Sequence, residues 1–269
     1  MNLLFISGEY PPEVGGVADY TACLRRALAE RGLASDVLSR RQVKRWDARA
    51  LFELARSAPR GGIVHLQYQA AAYDLLGDIC LAPVLLRALR PRVRVVTTLH
   101  DARVPYLFKG ARPLRLPAVR LLARSSHAVI AADERDLRVA NRSGARLFQV
   151  PIASNISCRR ASHYDREAFR RSIGFSRDTL AIVYFGLLNS SKGLDVLVET
   201  FERVARARPS ARLLMVGGGY GASDATDRAT AARMASRLRE LADRCMQTGY
   251  LGPADVSAHL LAADVALLP

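Results

Sequence analysis

Three glycine-rich stretches carry the residues best suited to hold an anion. The first is "SGEYPPEVGGVADYT", residues 7–21, in which Gly15 and Gly16 stand between a strand-like run, "NLLFIS", and a helix-like run. Glycine at such a place lets a bulky ligand approach the backbone, and the amides that open a helix favour an anion such as phosphate. An ordinary Gly-rich turn accounts for the pair equally well. The second stretch, "YFGLLNSSKGLDVL", puts Gly186 at a strand end and Ser190, Ser191 and Lys192 just before a helix starting near Gly193. A lysine aimed at the mouth of a sheet, beside two hydroxyls and free amides, can hold a diphosphate. It is not a Walker motif, because Ser191 stands where that motif needs glycine. The third stretch, "MVGGGYGA", spaces Gly217, Gly219 and Ala222 as a loose G-x-G-x-x-A after a strand. Alone this is a weak dinucleotide signal, and the acidic residue expected after the next strand is not evident.

Those loops need strands behind them and helices in front, and the chain supplies both. Strand-like runs are "NLLFIS", "LASDVLS", "GIVHLQY", "VRVVTTLH", "HAVIAA" and "RLFQVPI". Amphipathic segments lie between most of them, at Val17–Arg31, Ala48–Ser57, Leu81–Arg90 and Leu114–Arg124. A polar, Arg-rich stretch, "SCRRASHYDREAFRRS", reads as a linker running into a connecting helix. The alternation then resumes as "TLAIVYFG", a helix from Leu194 to Ala207, "RLLMVGGG", a helix from Ala229 to Arg244, and "VALLP". Apolar strands alternating with such helices imply an α/β fold with parallel sheets covered on both faces. The restart implies two units in tandem, residues 1–160 and 161–269. Ligands of parallel sheets bind at the carboxyl ends of the strands, where all three glycine stretches fall.

Composition narrows the classes. The 269 residues are half hydrophobic, enough for a buried core. Asp74 and Asp78 break the longest apolar run, so no segment reaches membrane-spanning length, and the N-terminus enters a strand without a signal-peptide pattern. Cys23, Cys80, Cys158 and Cys245 are scattered, which argues against a zinc site or a disulfide framework and suits the reduced cytosol. The net charge is +15, and residues 1–160 carry 26 basic and 13 acidic side chains against 14 and 12 in residues 161–269. Ten Lys or Arg face one acid, Asp101, between Arg87 and Arg124. Nucleic acid, an anionic membrane surface and plain arginine bias compete to explain this; Lys occurs only at 44, 109 and 192, so bias explains part of it.

Five segments, "GEYPPEVGGVADYT", "TTLHD", "YFGLLNSSKGLDVLVETF", "LLMVGGG" and "TGYLGPADVSAHLLAADVALLP", together resemble the family 4 glycosyltransferases in order and approximate spacing. The resemblance covers nearly the whole chain. It implies a retaining enzyme of two Rossmann-like domains whose parallel sheets face a cleft, an acceptor-side domain at 1–160 and a nucleotide-sugar domain at 161–269. It further implies that Gly15 and Gly16 approach the donor phosphates and the acceptor, and that His100 lies near the transferred sugar. Asp101 would orient the loop on the acceptor side, and Lys192 would neutralise the leaving diphosphate. Gly186, Ser190, Ser191, Gly217 and Gly219 would line the donor site. The acceptor would attack from the face the leaving group departs from, needing neither a protein nucleophile nor a metal or cofactor. A cation and helix amides aimed at the developing diphosphate charge lower such a barrier.

Two departures stand out. Leu187 occupies a position where the family often has a second cation. The family's pair of glutamates, seven residues apart beyond the strand matching "VALLP", falls past Pro269, so the second domain is expected to be incomplete and the chain a fragment with impaired transfer. A nucleotide-sugar epimerase would need acid and base residues that are not identifiable, and a non-catalytic nucleotide- or anion-binding protein is the remaining alternative. Few aromatics accompany the arginines, which argues against nucleic acid. The expected partners are a nucleotide-diphosphate sugar, a glycan or lipid-linked acceptor, and an anionic membrane surface meeting residues 87–124. The expected location is the cytoplasm, peripheral at the inner face of the membrane.

Overall fold

The structure is a computed structural model that describes residues 2–74, 77–102, 112–141, 144–154, 156, 161–186, 193–217 and 236–269. The chain divides into two compact units, Met1–Asn155 and Ile156–Pro269.

Unit 1 is a six-stranded parallel sheet in the order β2-β1-β3-β4-β5-β6. Its strands are β1 (Leu3–Ser7), β2 (Asp36–Leu38), β3 (Gly62–Gln69), β4 (Val93–Asp101), β5 (Ala128–Ala131) and β6 (Arg146–Gln149). The helices are α1 (Gly16–Ala29), α2 (Ala48–Ser57), α3 (Ala82–Leu89), α4 (Arg112–Ser125) and α5 (Glu134–Ala140). Every residue of β1 is buried, the pattern of a central parallel strand with cover on both faces. Asp47 caps α2 by accepting from the Ala50 amide at 3.0 Å, and Leu51, Leu54 and Ala55 then point into the core. Asp133 starts α5 in the same way. Leu4, Ile6, Val64, Leu66, Val95 and Leu99 join these helices in one apolar cluster around the fully buried Trp46 and Tyr73.

Unit 2 is a four-stranded parallel sheet in the order β10-β7-β8-β9. It comprises β7 (Leu180–Phe185), β8 (Ala211–Val216), β9 (Cys245–Gln247) and β10 (Val265–Ala266). The period of two divides the strand side chains between two cores. Ile182, Tyr184, Leu213 and Met215 pack on α7 (Leu194–Ala207) through Leu197, Val198 and Phe201. Ala181, Val183, Leu214 and Val216 pack with Phe175 and with Val256 of α8 (Pro253–Ala262).

The Arg-rich stretch expected to be a linker falls within unit 2 and does more than connect. Asp165 caps α6 (Arg166–Ser172), and Tyr164 donates to the Ala258 carbonyl at 2.8 Å. Arg170, 5% exposed, donates to the carbonyls of Ala262, Ser176 and Thr179 and to Asp264. The helix expected over Ala229–Arg244 is described only from residue 236; residues 236–240 are helical and a 3-10 turn, Ala242–Arg244, follows. No helix among the described residues is long and apolar enough to cross a membrane.

Candidate functional site

In unit 1 the strand order reverses at β1 and β3, and the carboxyl ends of β1, β3 and β4 bring the candidate residues together. Ser7 pairs with Gln67 across the β1–β3 ladder. His100, the penultimate residue of β4, places its Nε2 2.8 Å from Gln67 Oε1. Tyr20 of α1 meets the imidazole edge-to-face, with ring centroids 4.8 Å apart. Burial pushes the His100 ring down to about 4, so it is neutral at physiological pH. His65, two residues before Gln67 on β3, stacks on Phe5 at 5.0 Å and its Nε2 bonds Thr98 Oγ1 at 2.8 Å. Burial and then the neighbouring His100 push it down to about 3. Asp101 ends β4 in register with Gln69 and is exposed.

Gly15 is the N-cap of α1, with extended backbone (φ −178°) and no side-chain cap. Its conformation suits any residue; a Cβ there would meet the tip of the Glu9 side chain, Oε2, which would have to move aside. Gly16 opens the helix, and a Cβ there would meet no described atom within 4 Å. The Glu9 side chain is buried, and its carboxyl is raised above the usual range, first by burial and then by Glu13, with Arg40 acting in the opposite sense. Glu13 accepts from the Tyr10 amide at 3.1 Å, while Arg40 pairs with Asp74 at 2.6 Å and donates to the Ala72 carbonyl. The mouth of this sheet therefore presents both an imidazole kept neutral and a carboxyl that resists ionisation.

In unit 2 the glycines gather on one edge. Gly186 follows β7 with φ +151° and Gly217 follows β8 with φ +100°. The Gly186 amide donates to the Val216 carbonyl at 3.1 Å, which brings the two strand ends side by side. Gly217 donates to Thr248 Oγ1 at 3.2 Å and bridges Gly249. Gly193, φ +66°, is the N-cap of α7, which has no side-chain cap. Two adjacent strands thus end in glycine at the carboxyl edge of the sheet, and α7 starts without a side-chain cap at Gly193, whose Cβ position lies against Pro269. Leu187, Ser190, Ser191, Lys192, Gly219 and Ala222 lie outside the described residues.

Gln67, Tyr20 and Glu9 were not among the residues singled out from the sequence. A signal for Gln67 exists: "GIVHLQYQ" is a central strand, where a buried amide is costly unless it is bonded. Glu9 carries no comparable signal, since its contact with Gly15 follows from how the loop folds back.

Residues 179–269, all within unit 2, match the family described as Glycosyl transferases group 1. A Corynebacterium glutamicum protein, GDP-mannose-dependent monoacylated alpha-(1-6)-phosphatidylinositol monomannoside mannosyltransferase, is 34% identical over 113 residues. That stretch is 40% of this chain and 26% of the relative, so the match spans about a quarter of the relative's length. Among solved structures, sucrose-phosphate synthase from Thermosynechococcus elongatus has a TM-score of 0.73 at 18% identity, covering 100% of this chain and 75% of the other. Anabaena HepE in complex with UDP and glucose has a TM-score of 0.68 at 17% identity, covering 99% and 73%. These two share the fold. The family match and the relative are glycosyltransferases, as the motif resemblance implies.

Proposed function

We propose, from the premise that residues 179–269 carry a glycosyl transferases group 1 segment, that this chain serves sugar transfer from a nucleotide-diphosphate sugar to an acceptor hydroxyl, with retention. The observation that carries the reading is the edge of unit 2, where Gly186 and Gly217 close two adjacent strands side by side, in a unit whose helix α7 starts at Gly193 without a side-chain cap. Such a surface lets a diphosphate approach amide donors closely. It falls inside the segment that the family matches.

The residues then take these parts. Lys192, with Ser190 and Ser191, neutralises the diphosphate as the bond from the anomeric carbon to the phosphate oxygen breaks and its electron pair leaves with the diphosphate. The acceptor oxygen forms the new bond on the same face, and its proton passes to the departing diphosphate. Gly186, Gly217 and Gly219 admit the nucleotide's phosphates. Gly15 and Gly16 serve the donor phosphates and the acceptor, His100 lies by the sugar, and Asp101 orients the acceptor-side loop. No metal or cofactor is assigned a step.

The acceptor class we propose is a glycan or lipid-linked one, met in the cytoplasm at an anionic membrane surface. The name of the C. glutamicum relative, which includes an acylated phosphatidylinositol mannoside, is consistent with this. So is α4, whose Leu114 and Leu121 are exposed beside exposed Arg120 and Arg124. The reading is tested by calorimetric titration of the 269-residue chain with UDP and with GDP. Binding of one of them, weakened on the order of 10²-fold by Lys192→Ala without a change in melting temperature, is the expected result for a charged partner removed from a bound diphosphate. Equal affinity in the variant would overturn the role of Lys192, and no binding of either nucleotide would overturn the donor site.

A further inference from the structure

We infer that Gln67 is the positioning residue of His100, holding its imidazole in the neutral Nε2–H tautomer so that Nδ1 is offered to a ligand as a hydrogen-bond acceptor. The inference deepens the glycosyltransferase reading, on which the identity of that ligand, a substrate hydroxyl, rests. The tautomer itself does not depend on that reading.

The argument begins with what each group can do. An amide oxygen only accepts, so with Gln67 Oε1 facing the ring the nitrogen 2.8 Å away carries the hydrogen. A neutral imidazole carries one N–H, which leaves the lone pair on Nδ1. Burial of the ring favours that neutral form over the imidazolium. Among the described residues no hydrogen-bond partner faces Nδ1, and Tyr20, edge-on at 4.8 Å, fixes the ring plane.

Gln67 is itself immobile. It is fully buried in the middle of the sheet, pairing with Ser7 on β1 and Thr98 on β4, and its own carbonyl accepts from the Tyr73 hydroxyl at 2.9 Å. Its side-chain Nε2 is buried without a partner, a penalty that an apolar residue at this position would avoid. The bond to His100 is what the amide does there. His65 shows the contrast: its Nε2 is bonded to Thr98 and its ring lies against Phe5, so it has no path to a ligand.

The chemical consequence is specific. A ring whose only N–H is committed to Gln67 cannot protonate a departing diphosphate at neutral pH. It can accept from a hydroxyl and so orient it. His100 is thereby an orienting acceptor and not the general acid.

Long-range proton–nitrogen spectra of the 269-residue chain, labelled at its five histidines, read the tautomer directly. A His100→Gln variant assigns the signal. We expect the Nε2–H form in the wild type, unchanged between pH 8 and 5. Gln67→Leu should release the ring to a mixture of tautomers. Gln67→Glu should keep the Nε2–H form and raise the His100 pKa by at least about one unit, because a carboxylate then faces the ring. An Nδ1–H form in the wild type overturns the inference, as does an unchanged spectrum in Gln67→Leu. Should Gln67→Leu fail to fold, the wild-type spectrum and Gln67→Glu still decide. None of these spectra needs a substrate, so a correct tautomer with no nucleotide binding would count against the glycosyltransferase reading alone.

Discussion

Gly217 stands against the carbonyl of Gly186: a Cβ on Gly217 would lie 2.8 Å from that oxygen, and the φ of +100° already disfavours any side chain. Gly249, bridged to Gly217, has φ +69° but open space around its Cα. The two positions therefore separate strain from collision. Gly249→Ala is expected to cost about 1–2 kcal/mol, the penalty of a left-handed conformation. Gly217→Ala adds a clash with backbone that cannot swing away, so we expect at least twice that loss in urea denaturation, together with loss of nucleotide binding. Equal losses at the two sites would remove the packing argument.

Glu9 and Gly15 are coupled in the same manner in unit 1. Gly15→Ala alone should destabilise the chain, because its Cβ meets Glu9 Oε2 while its backbone is unstrained. In a Glu9→Ala background the same substitution should be nearly neutral, a non-additivity that a double-mutant cycle measures. Additive effects would show that the carboxylate moves aside freely.

The raised pKa of Glu9 has its own sign. The folded chain holds this proton more tightly than the unfolded chain, so stability contributed here is present below the ordinary value of 4.5 and lost as pH rises through the folded pKa. Glu9→Gln should therefore raise the melting temperature at pH 7 to 8, with the gain closing as pH falls towards 4. A variant less stable than wild type at pH 8 would contradict the burial argument.

His65 and His100 act on the acid side. Their folded values of about 3 and about 4 lie below the ordinary 6.5, so between those limits the unfolded chain binds more protons. Stability is full above pH 6.5 and falls as pH drops towards 4, by on the order of 2 kcal/mol per histidine at pH 4.5. His65→Gln, which can keep a bond to Thr98, should flatten that limb. An unchanged slope between pH 7 and 4.5 would mean that His65 is not the group titrating.

What could be read from the sequence follows from range. The strand–helix alternation was legible because its periods are local, and α2 falls on the expected Ala48–Ser57. The three-residue β9 is too short to show a period, and α8, rich in Ala and Leu, has no clear polar face. Gly186 and Gly217 were legible as glycines at strand ends, and Gly15 and Gly16 as glycines opening a helix. The Gln67–His100 bond spans 33 residues and exists only once β3 and β4 pair in register. The arginines of α6 illustrate the same limit: Arg-rich sequence suggests solvent, yet Arg170 is buried against α8 and Asp264. Arg170→Met should cost about 2–4 kcal/mol in unit 2, because it leaves the Ala262, Ser176 and Thr179 carbonyls without that donor while Asp264 keeps Arg166. Arg203→Met, whose partner Glu199 is exposed, should cost under about 0.5 kcal/mol.

The basic region divides on folding. Arg87, Arg90, Arg92 and Arg94 flank the amino end of β4, the end away from His100, whereas Arg120 and Arg124 belong to α4. Along α4, Val119, Leu122 and Ala123 are buried, and Leu114 and Leu121, seven residues and so about two turns apart, are 71% and 41% exposed. On the membrane-surface reading proposed above, the two leucines of this helix would enter the interface while the guanidinium heads of the two exposed arginines would reach lipid phosphate. Each charge is worth about 1 kcal/mol near such a surface, and salt screens it. We expect the 269-residue chain to sediment with phosphatidylserine-containing vesicles at low salt and to be released as salt rises. Arg120→Gln with Arg124→Gln should weaken binding mainly at low salt, whereas Leu114→Ser with Leu121→Ser should weaken it at every salt concentration. A wild-type chain that stays in the supernatant at low salt would make α4 an ordinary solvated helix and withdraw the membrane from the proposed acceptor side.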